Sequence, residues 1–429
     1  MCIVRPFRAI RYATDKSPDI SALLAPPYDI IDERGKAELL SRHPNNFVKI
    51  DLPHVPPKSA GPPEVYQNSR ALLEQWLRDR VMVRDPHAAL YVYHQVYRYD
   101  GRSYVRKMFF GRLRLEPFGE GSVFPHERTF GGPKEDRLAL TKATQANLSP
   151  IFGLYEDPHN QVAHRLEQAL GRPPLAVGTL DGVENRLWAV ADEAAIADVA
   201  RLLAAKAMYI ADGHHRYGTG LLYRDWLTQQ RGPLPDEHPA NYVLCVFCAM
   251  EDPGLLILPT HRVLPGVSVT GDTFVGDQHV RVHPLRASQP SDALSDLRAY
   301  GAQAVAMFNG PTGQYSAIHP VRPDFLREFE PQRTTAWQRL GLAFLHAYLL
   351  ERVVATKLCG GRAPEIHYVK ADTDAVAEAR QTGGTAFLMQ PTTMEELRAV
   401  CSAGDLMPHK STYFYPKLAS GLVINPLTE

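Results

Sequence analysis

Short apolar runs alternate along the chain with stretches whose hydrophobic residues recur at helical spacing, and this pattern lays out a mixed succession of strands and helices. The first ten residues alternate like a strand. A stiff Pro26-Pro27 turn then leads into a helix over 33–42, and 47–52 predicts a further strand. An amphipathic helix follows over 64–80. Residues 89–98 alternate, meet the turn pair Asp100-Gly101 and return over 103–115, which is the signature of a β-hairpin. The order then runs helix (133–147), strand (149–155), helix (162–170), strand (185–190) and helix (193–205). Residues 206–210 form a short apolar burst suited to a buried strand. Beyond it Leu221, Leu222 and Trp226 continue a helical pattern, with Asp212 in the position of an N-cap. A strand over 242–250, further strands between 267 and 318, and helices at 291–300, 336–351, 374–381 and 394–403 complete the reading. The expected fold class is mixed α/β (α+β), divided into an N-terminal region over residues 1–125, a core over 126–265 and a C-terminal region over 266–429.

Composition narrows the picture without adding a function. A chain of 429 residues, 45% hydrophobic and 22% charged, supports a sizeable core. Its formal net charge of +0 gives no electrostatic case for nucleic acid, and no apolar run is long enough to span a bilayer. The opening residues lack the long apolar core of a signal peptide. Cys2, Cys245, Cys248, Cys359 and Cys401 are an odd, scattered set that reads as reduced thiols, so a cytoplasmic location is expected. Cys245 and Cys248 have redox spacing, but they fall inside an apolar strand and read as core. Oligomeric state is not legible.

Chemistry concentrates in a few places. Asp212-Gly213-His214-His215-Arg216 packs an acid, two imidazoles and a guanidinium into five positions where a strand passes into a helix. Such a turn aims backbone N–H groups and the positive end of the helix dipole at one point, as anion sites do. Gly213 permits close approach, Arg216 offers a bidentate fork, and the histidines supply donors. A second dense stretch holds His126, Glu127 and Thr129 on a loop, with Lys134 and Arg137 in the first turns of a helix. Glu127 beside His126 suits a general base, whereas Glu135, Asp136 and Arg137 also read as solvated helix charges. The run lacks the second histidine of a zinc-protease motif, because Phe130 stands there. Asp29, delivered by the Pro-Pro turn, reads equally as architecture or as a ligand contact. His261-Arg262 ends another apolar run and reads either as a phosphate contact or as a histidine held by backbone. Lys410 and Lys417 belong to a basic, hydroxylated segment over 407–417 that suits an anionic substrate or a solvated tail. No phosphate loop and no Gly-x-Gly-x-x-Gly occurs, which disfavours the common nucleotide folds.

Together Arg5-Pro-Phe7, Pro26-Pro-Tyr-Asp29, His126-Glu127 with Thr129, Ala211 to Tyr217, Pro259-Thr-His-Arg262 and Pro408 to Lys417 resemble the family known as domain of unknown function 1015. The Asp-Gly-His-His-Arg-Tyr block is also similar to the phosphate signature of the ParB/sulfiredoxin superfamily, some members of which are free serine kinases. This resemblance implies a ParB/sulfiredoxin-like core in which Gly213, His214, His215 and Arg216 bind phosphate. His214 stands where sulfiredoxin carries its cysteine, so thiol chemistry is disfavoured and phosphoryl transfer is not. The expected activity is a phosphotransferase on a small hydroxylated metabolite, most concretely free L-serine. ATP, ADP or pyrophosphate would be the donor and Mg²⁺ the accompanying cation, with Asp212 or Asp29 orienting the Mg²⁺ or the substrate amino group. Glu127, Asp212, His215 and Arg216 carry the chemistry in that expectation. Asp29, His126, Thr129, Lys134, Arg137, Gly213, His214, His261, Arg262, Lys410 and Lys417 bind substrate or phosphate. The alternatives are a nucleotide-binding regulator without turnover and a histidine-rich metal hydrolase built on His126, His214, His215 and His261.

Overall fold

A computed structural model describes all residues except 16, 58, 128–131 and 429, with the backbone alone for 132 and 133. The chain forms two compact units, Met1–Leu256 with Pro416–Glu429, and Ile257–Tyr415. The second is thus inserted in the first.

The first unit is built on a nine-stranded mixed sheet. Its order is Val123–Phe124, Met208–Asp212, Ile151–Tyr155, Tyr242–Ala249, Arg102–Arg114, Leu90–Tyr99, Val183–Val190 and Ala176–Leu180, with Val4–Arg5 on the free flank of the long strand. The expected hairpin is present. Asp100 and Gly101 both take positive φ, +46° and +73°, the mirror-image turn that matches strand twist. Tyr242–Ala249 is buried along its whole length because neighbours flank it on both sides, so it reads as a continuous apolar run. Cys245 and Cys248 are core residues within it. Helices Gln161–Gln168 and Glu193–Ala204 pack their apolar stripes into the core with Val4, Leu90, Phe109, Ile151 and Phe247. The boundary expected at residue 125 falls inside this sheet, since Val123–Phe124 pairs with Met208–Asp212.

Residues 47–52 are not the strand their apolar content predicts. Val48–Asp51 is a helical turn, because the buried Asn46 amide donates to the carbonyls of Ala22 and Leu24 (2.8 and 2.9 Å) and its oxygen accepts the Val48 N–H (3.0 Å). That local capping outweighs strand propensity.

The second unit carries its own six-stranded antiparallel sheet, ordered Val280–Leu285, Gln314–Pro320, Val305–Asn309, Thr385–Leu388, His261–Leu264 and His367–Val369. Val263, Ala306, Phe308, Ala386 and the helix residues Ala375 and Ala379 form its core. The helix expected over 336–351 is broken. Thr335–Gln338 stops, and the chain restarts at Gly341–Ala343 before the wider π-helical stretch Phe344–Val354. At Gly341 a Cβ would lie 3.2 Å from the Ala302 carbonyl oxygen, so this close backbone approach suits glycine at the restart.

Candidate functional site

The site is assembled where Met208–Asp212 ends and the helix His214–Arg231 begins. Met208–Ile210 is fully buried, and the register against Ile151–Tyr155 shifts between Ile210 and Asp212, a bulge that re-aims the strand end. Asp212 is not the N-cap. Gly213 holds that place at φ +89° with no side-chain cap, and a Cβ there would sit 3.1 Å from the Arg216 guanidinium and from the Ile151 Cα. The backbone therefore passes closely beneath Arg216, and the first N–H groups of the helix have no partner within it.

The Asp212 carboxylate serves cations instead. It receives the Lys417 ammonium at 2.5 Å and the Arg216 guanidinium at 3.2 Å. Burial pushes this carboxyl up, but the Lys417 and Arg216 charges outweigh burial and hold it well below the usual carboxylate range. Arg216 also donates to the Pro150 carbonyl. Burial disfavours its charge, and Asp212, Asp29, Tyr28 and Asp51 more than restore it. The Tyr28 ring lies beneath two guanidinium groups, Arg137 at 4.0 Å and Arg216 at 6.0 Å.

The histidines divide their work. His126 is buried, and its Nδ1 donates to the Ile210 carbonyl at 2.6 Å. Its backbone N–H donates to His214 Nε2 at 3.1 Å, and the two rings meet edge to face at 4.5 Å. Burial, reinforced by His126, holds His214 well below the usual histidine range, so His214 is a neutral acceptor tying the 125–127 segment to the helix start. His215 is half-buried, and among the described residues no hydrogen-bond partner meets its buried Nδ1. Burial lowers its affinity for a proton, as do Lys134 and Arg216, while Asp29 and Glu127 raise it. Those four charged groups are therefore its electrostatic neighbours. Glu127 also stands 3.8 Å from His126 Nε2. The exposed Asp29 sits on the short turn Tyr28–Ile30, and the Lys134 stem runs along the helix beside Gly218.

Arg137 and Asp136 are not surface charges. Both are buried, and Arg137 bonds Asp136 Oδ2 (2.7 Å) and the Asp51 carbonyl (2.6 Å), while Tyr66 donates to Asp136 (2.7 Å) and Ser149 to Asp51 (2.6 Å). Arg137 is thus engaged in the scaffold against the Tyr28 ring. A cavity of about 30 Å³ lined by Tyr28, Asp51, Arg137, Ser149, Arg216 and Thr219 has room for one water molecule. Sequence reasoning missed Asp51 and Ser149. The available signal was a lone carboxylate inside the apolar run 47–52.

His261, Arg262 and Lys410 belong to the second unit, where His261 and Arg262 are engaged by their side chains and Lys410, exposed, by its carbonyl. His261 Nδ1 accepts the Met389 N–H (3.1 Å), and burial lowers this imidazole to about 4. Arg262 is wholly buried and donates to the carbonyls of His409 (3.0 Å) and Lys410 (2.9 Å), with its guanidinium 5.3 Å from the Tyr368 ring. Thr129 lies outside the described residues. Among the described residues no group of three or more His, Cys, Asp or Glu is placed to hold a metal ion.

The sequence model of one family matches residues 4–303. The chain belongs to the DUF1015 family. That family is described as proteins of unknown function, and no curated protein matches the sequence. Among solved structures, the chain is similar to a free serine kinase mutant in complex with AMP, at 13% identity and TM-score 0.34, over 70% of this chain and 89% of that one. A conserved hypothetical protein from Pyrococcus furiosus matches at 13% identity and TM-score 0.32, over 71% and 92%. SbnI with a C-terminal truncation from Staphylococcus aureus matches at 10% identity and TM-score 0.31, over 71% and 84%. These likenesses are distant. The family does not supply an activity, and the chemistry of the site has to.

Proposed function

We propose that this DUF1015 protein is a phosphotransferase acting on a small hydroxylated metabolite, most concretely free L-serine, with ATP, ADP or pyrophosphate as donor. The observation that carries this reading is the set of charges around His215 at the start of His214–Arg231, the cations Lys134 and Arg216 with the carboxylates Asp29 and Glu127. Phosphoryl transfer needs little covalent help from a protein. It needs charge stabilisation around the moving group and a base near the acceptor hydroxyl.

In this reading Arg216, Lys134, His215 and the helix N–H groups bind the phosphoryl oxygens. Glu127 takes the hydroxyl proton as the acceptor oxygen bonds to phosphorus and the donor's bridging oxygen leaves with its electron pair. Asp212 is unsuited to the base role, because its low basicity and two ion pairs keep it ionised and holding Arg216. Mg²⁺ accompanying the donor would neutralise phosphate charge. It takes one or two carboxylates together with phosphate oxygens and water, and the exposed Asp29 would be the carboxylate to help hold it.

The test is incubation with L-serine, Mg²⁺ and each donor in turn, with mass-spectrometric detection of phosphoserine. Arg216→Ala and Glu127→Gln are each expected to slow product formation about 100-fold. No product with any of the three donors would sink the proposal. A thermal shift with ADP but no turnover would leave a nucleotide-binding regulator in its place.

A further inference from the structure

Lys417 reaches Asp212 from a short segment outside the strands, ahead of the Ala25–Ser420 bridge, and its own backbone is held by side chains. The partners lie deep in the sheet of the first unit. Asn185, Gln95 and Arg106 are direct neighbours across three adjacent strands, and all three are at most 1% exposed. Arg106 donates to the Gln95 side-chain oxygen and, at 2.6 Å, to the Pro416 carbonyl. Gln95 Nε2 donates to the Lys417 carbonyl at 3.0 Å and to Asn185 Oδ1 at 3.1 Å. The Asn185 amide is anchored on the carbonyls of Gly178 and Val183, both at 3.0 Å. Tyr93 bonds the same Asn185 oxygen at 2.6 Å and accepts the Ala419 N–H at 3.3 Å. Three backbone groups within four residues, 416 to 419, are therefore held by side chains from the sheet.

A polar row of this kind is expensive in a core. A buried guanidinium and two buried amides each cost desolvation, and apolar residues would pack a sheet more favourably. Here the row ends on two consecutive carbonyls, and Pro416 restricts the segment further by locking its own φ. The register places Phe152 opposite Asp212, and the Arg106 guanidinium lies 5.2 Å from the Phe152 ring. The row thus ends in contact with the residue paired with the acid.

We propose that the Asn185–Gln95–Arg106 row positions Lys417, setting its ammonium on Asp212 and so fixing the charge and orientation of Arg216 in the site. These are positioning residues, and the proposal rests on reading that site as a phosphoryl-binding one. Its test separates the two ideas. Gln95→Met keeps the shape and removes the bond to the Lys417 carbonyl, while Tyr93→Phe removes only the bonds made by the hydroxyl. In the full-length protein the acylation rate of Lys417 by an amine-reactive ester is followed by peptide mass spectrometry from pH 7 to 10, beside the melting temperature, ADP affinity, and kcat and KM. An ammonium held against a carboxylate reacts slowly, and releasing its backbone is expected to raise the rate about tenfold at pH 8 in Gln95→Met, with a smaller rise in Tyr93→Phe. ADP affinity should weaken in the same order. Unchanged Lys417 labelling and an unchanged pH profile in a folded Gln95→Met overturn the proposal. If that variant fails to fold, the same null result in Tyr93→Phe does so. Faster labelling in a protein that transfers no phosphate would support the positioning role and defeat the kinase reading alone.

Discussion

Asp212 shows how little a side chain's identity says about its role. By local sequence it is a helix N-cap or a base, and in the fold it is the shared partner of Lys417 and Arg216. Removing it leaves two partly buried cations facing each other. Asp212→Asn is accordingly expected to cost about 3 kcal/mol, the low end for breaking a buried pair, as read by urea unfolding at pH 7. The pH dependence has a definite sign. Because the folded carboxyl lies below its unfolded value of about 3.9, its contribution is complete above about pH 4 and fades as pH falls further. The gap between wild type and Asp212→Asn should therefore narrow below about pH 4, and a constant gap would contradict this assignment. His126 and His214 illustrate the converse. Sequence reasoning takes them as phosphate ligands, whereas His214 Nε2 accepts the His126 N–H and His126 Nδ1 donates to the Ile210 carbonyl, and it is the buried Nδ1 of His215 that has no hydrogen-bond partner among the described residues.

At the level of elements, periodicity located most strands and helices, and the exceptions trace to single residues. Asn46 turned an apolar run into a helical turn, and the helix expected over 336–351 restarts at Gly341, packed close to a neighbouring carbonyl. Gly213 is the element-scale determinant of the site. Its left-handed φ and the 3.1 Å approach of Arg216 leave no comfortable room for a side chain. Gly213→Ala should lower stability by about 1–2 kcal/mol, seen as a reduced melting temperature. It should also weaken ADP binding, since Arg216 must move. A variant with wild-type stability would mean that the turn does not need glycine.

For the whole molecule, the decisive fact is insertion. Unit Ile257–Tyr415 is contiguous, with its own sheet and core, whereas the first unit is complete only after Pro416–Glu429 has returned. That returning segment pairs Asn425–Pro426 with Ala146–Asn147, and Arg112 bonds both Asn425 and Pro426. A fragment covering 257–415 is expected to fold alone with a cooperative urea transition. A chain ending at 415 should lose the cooperative unfolding of the first unit. Retention of that transition would show that the returning segment is dispensable.

Local order was legible in advance because it depends on neighbours a few residues apart: the Asp100-Gly101 hairpin, the buried strand around Cys245, the glycine turn before His214. The residue types of the candidate site were legible for the same reason, as dense polar runs beside apolar elements. Their partners were not. Lys417 meets Asp212 across 205 residues, Asp136 meets Tyr66 across 70, and Arg106 meets Pro416 across 310. Such pairings depend on which strands become neighbours and on where an inserted unit hands the chain back. Burial then sets their chemistry, making Asp212 a strut, His214 a neutral acceptor and Arg137 a member of the scaffold. No window of sequence contains that information, because the dielectric around a charge belongs to the packed molecule.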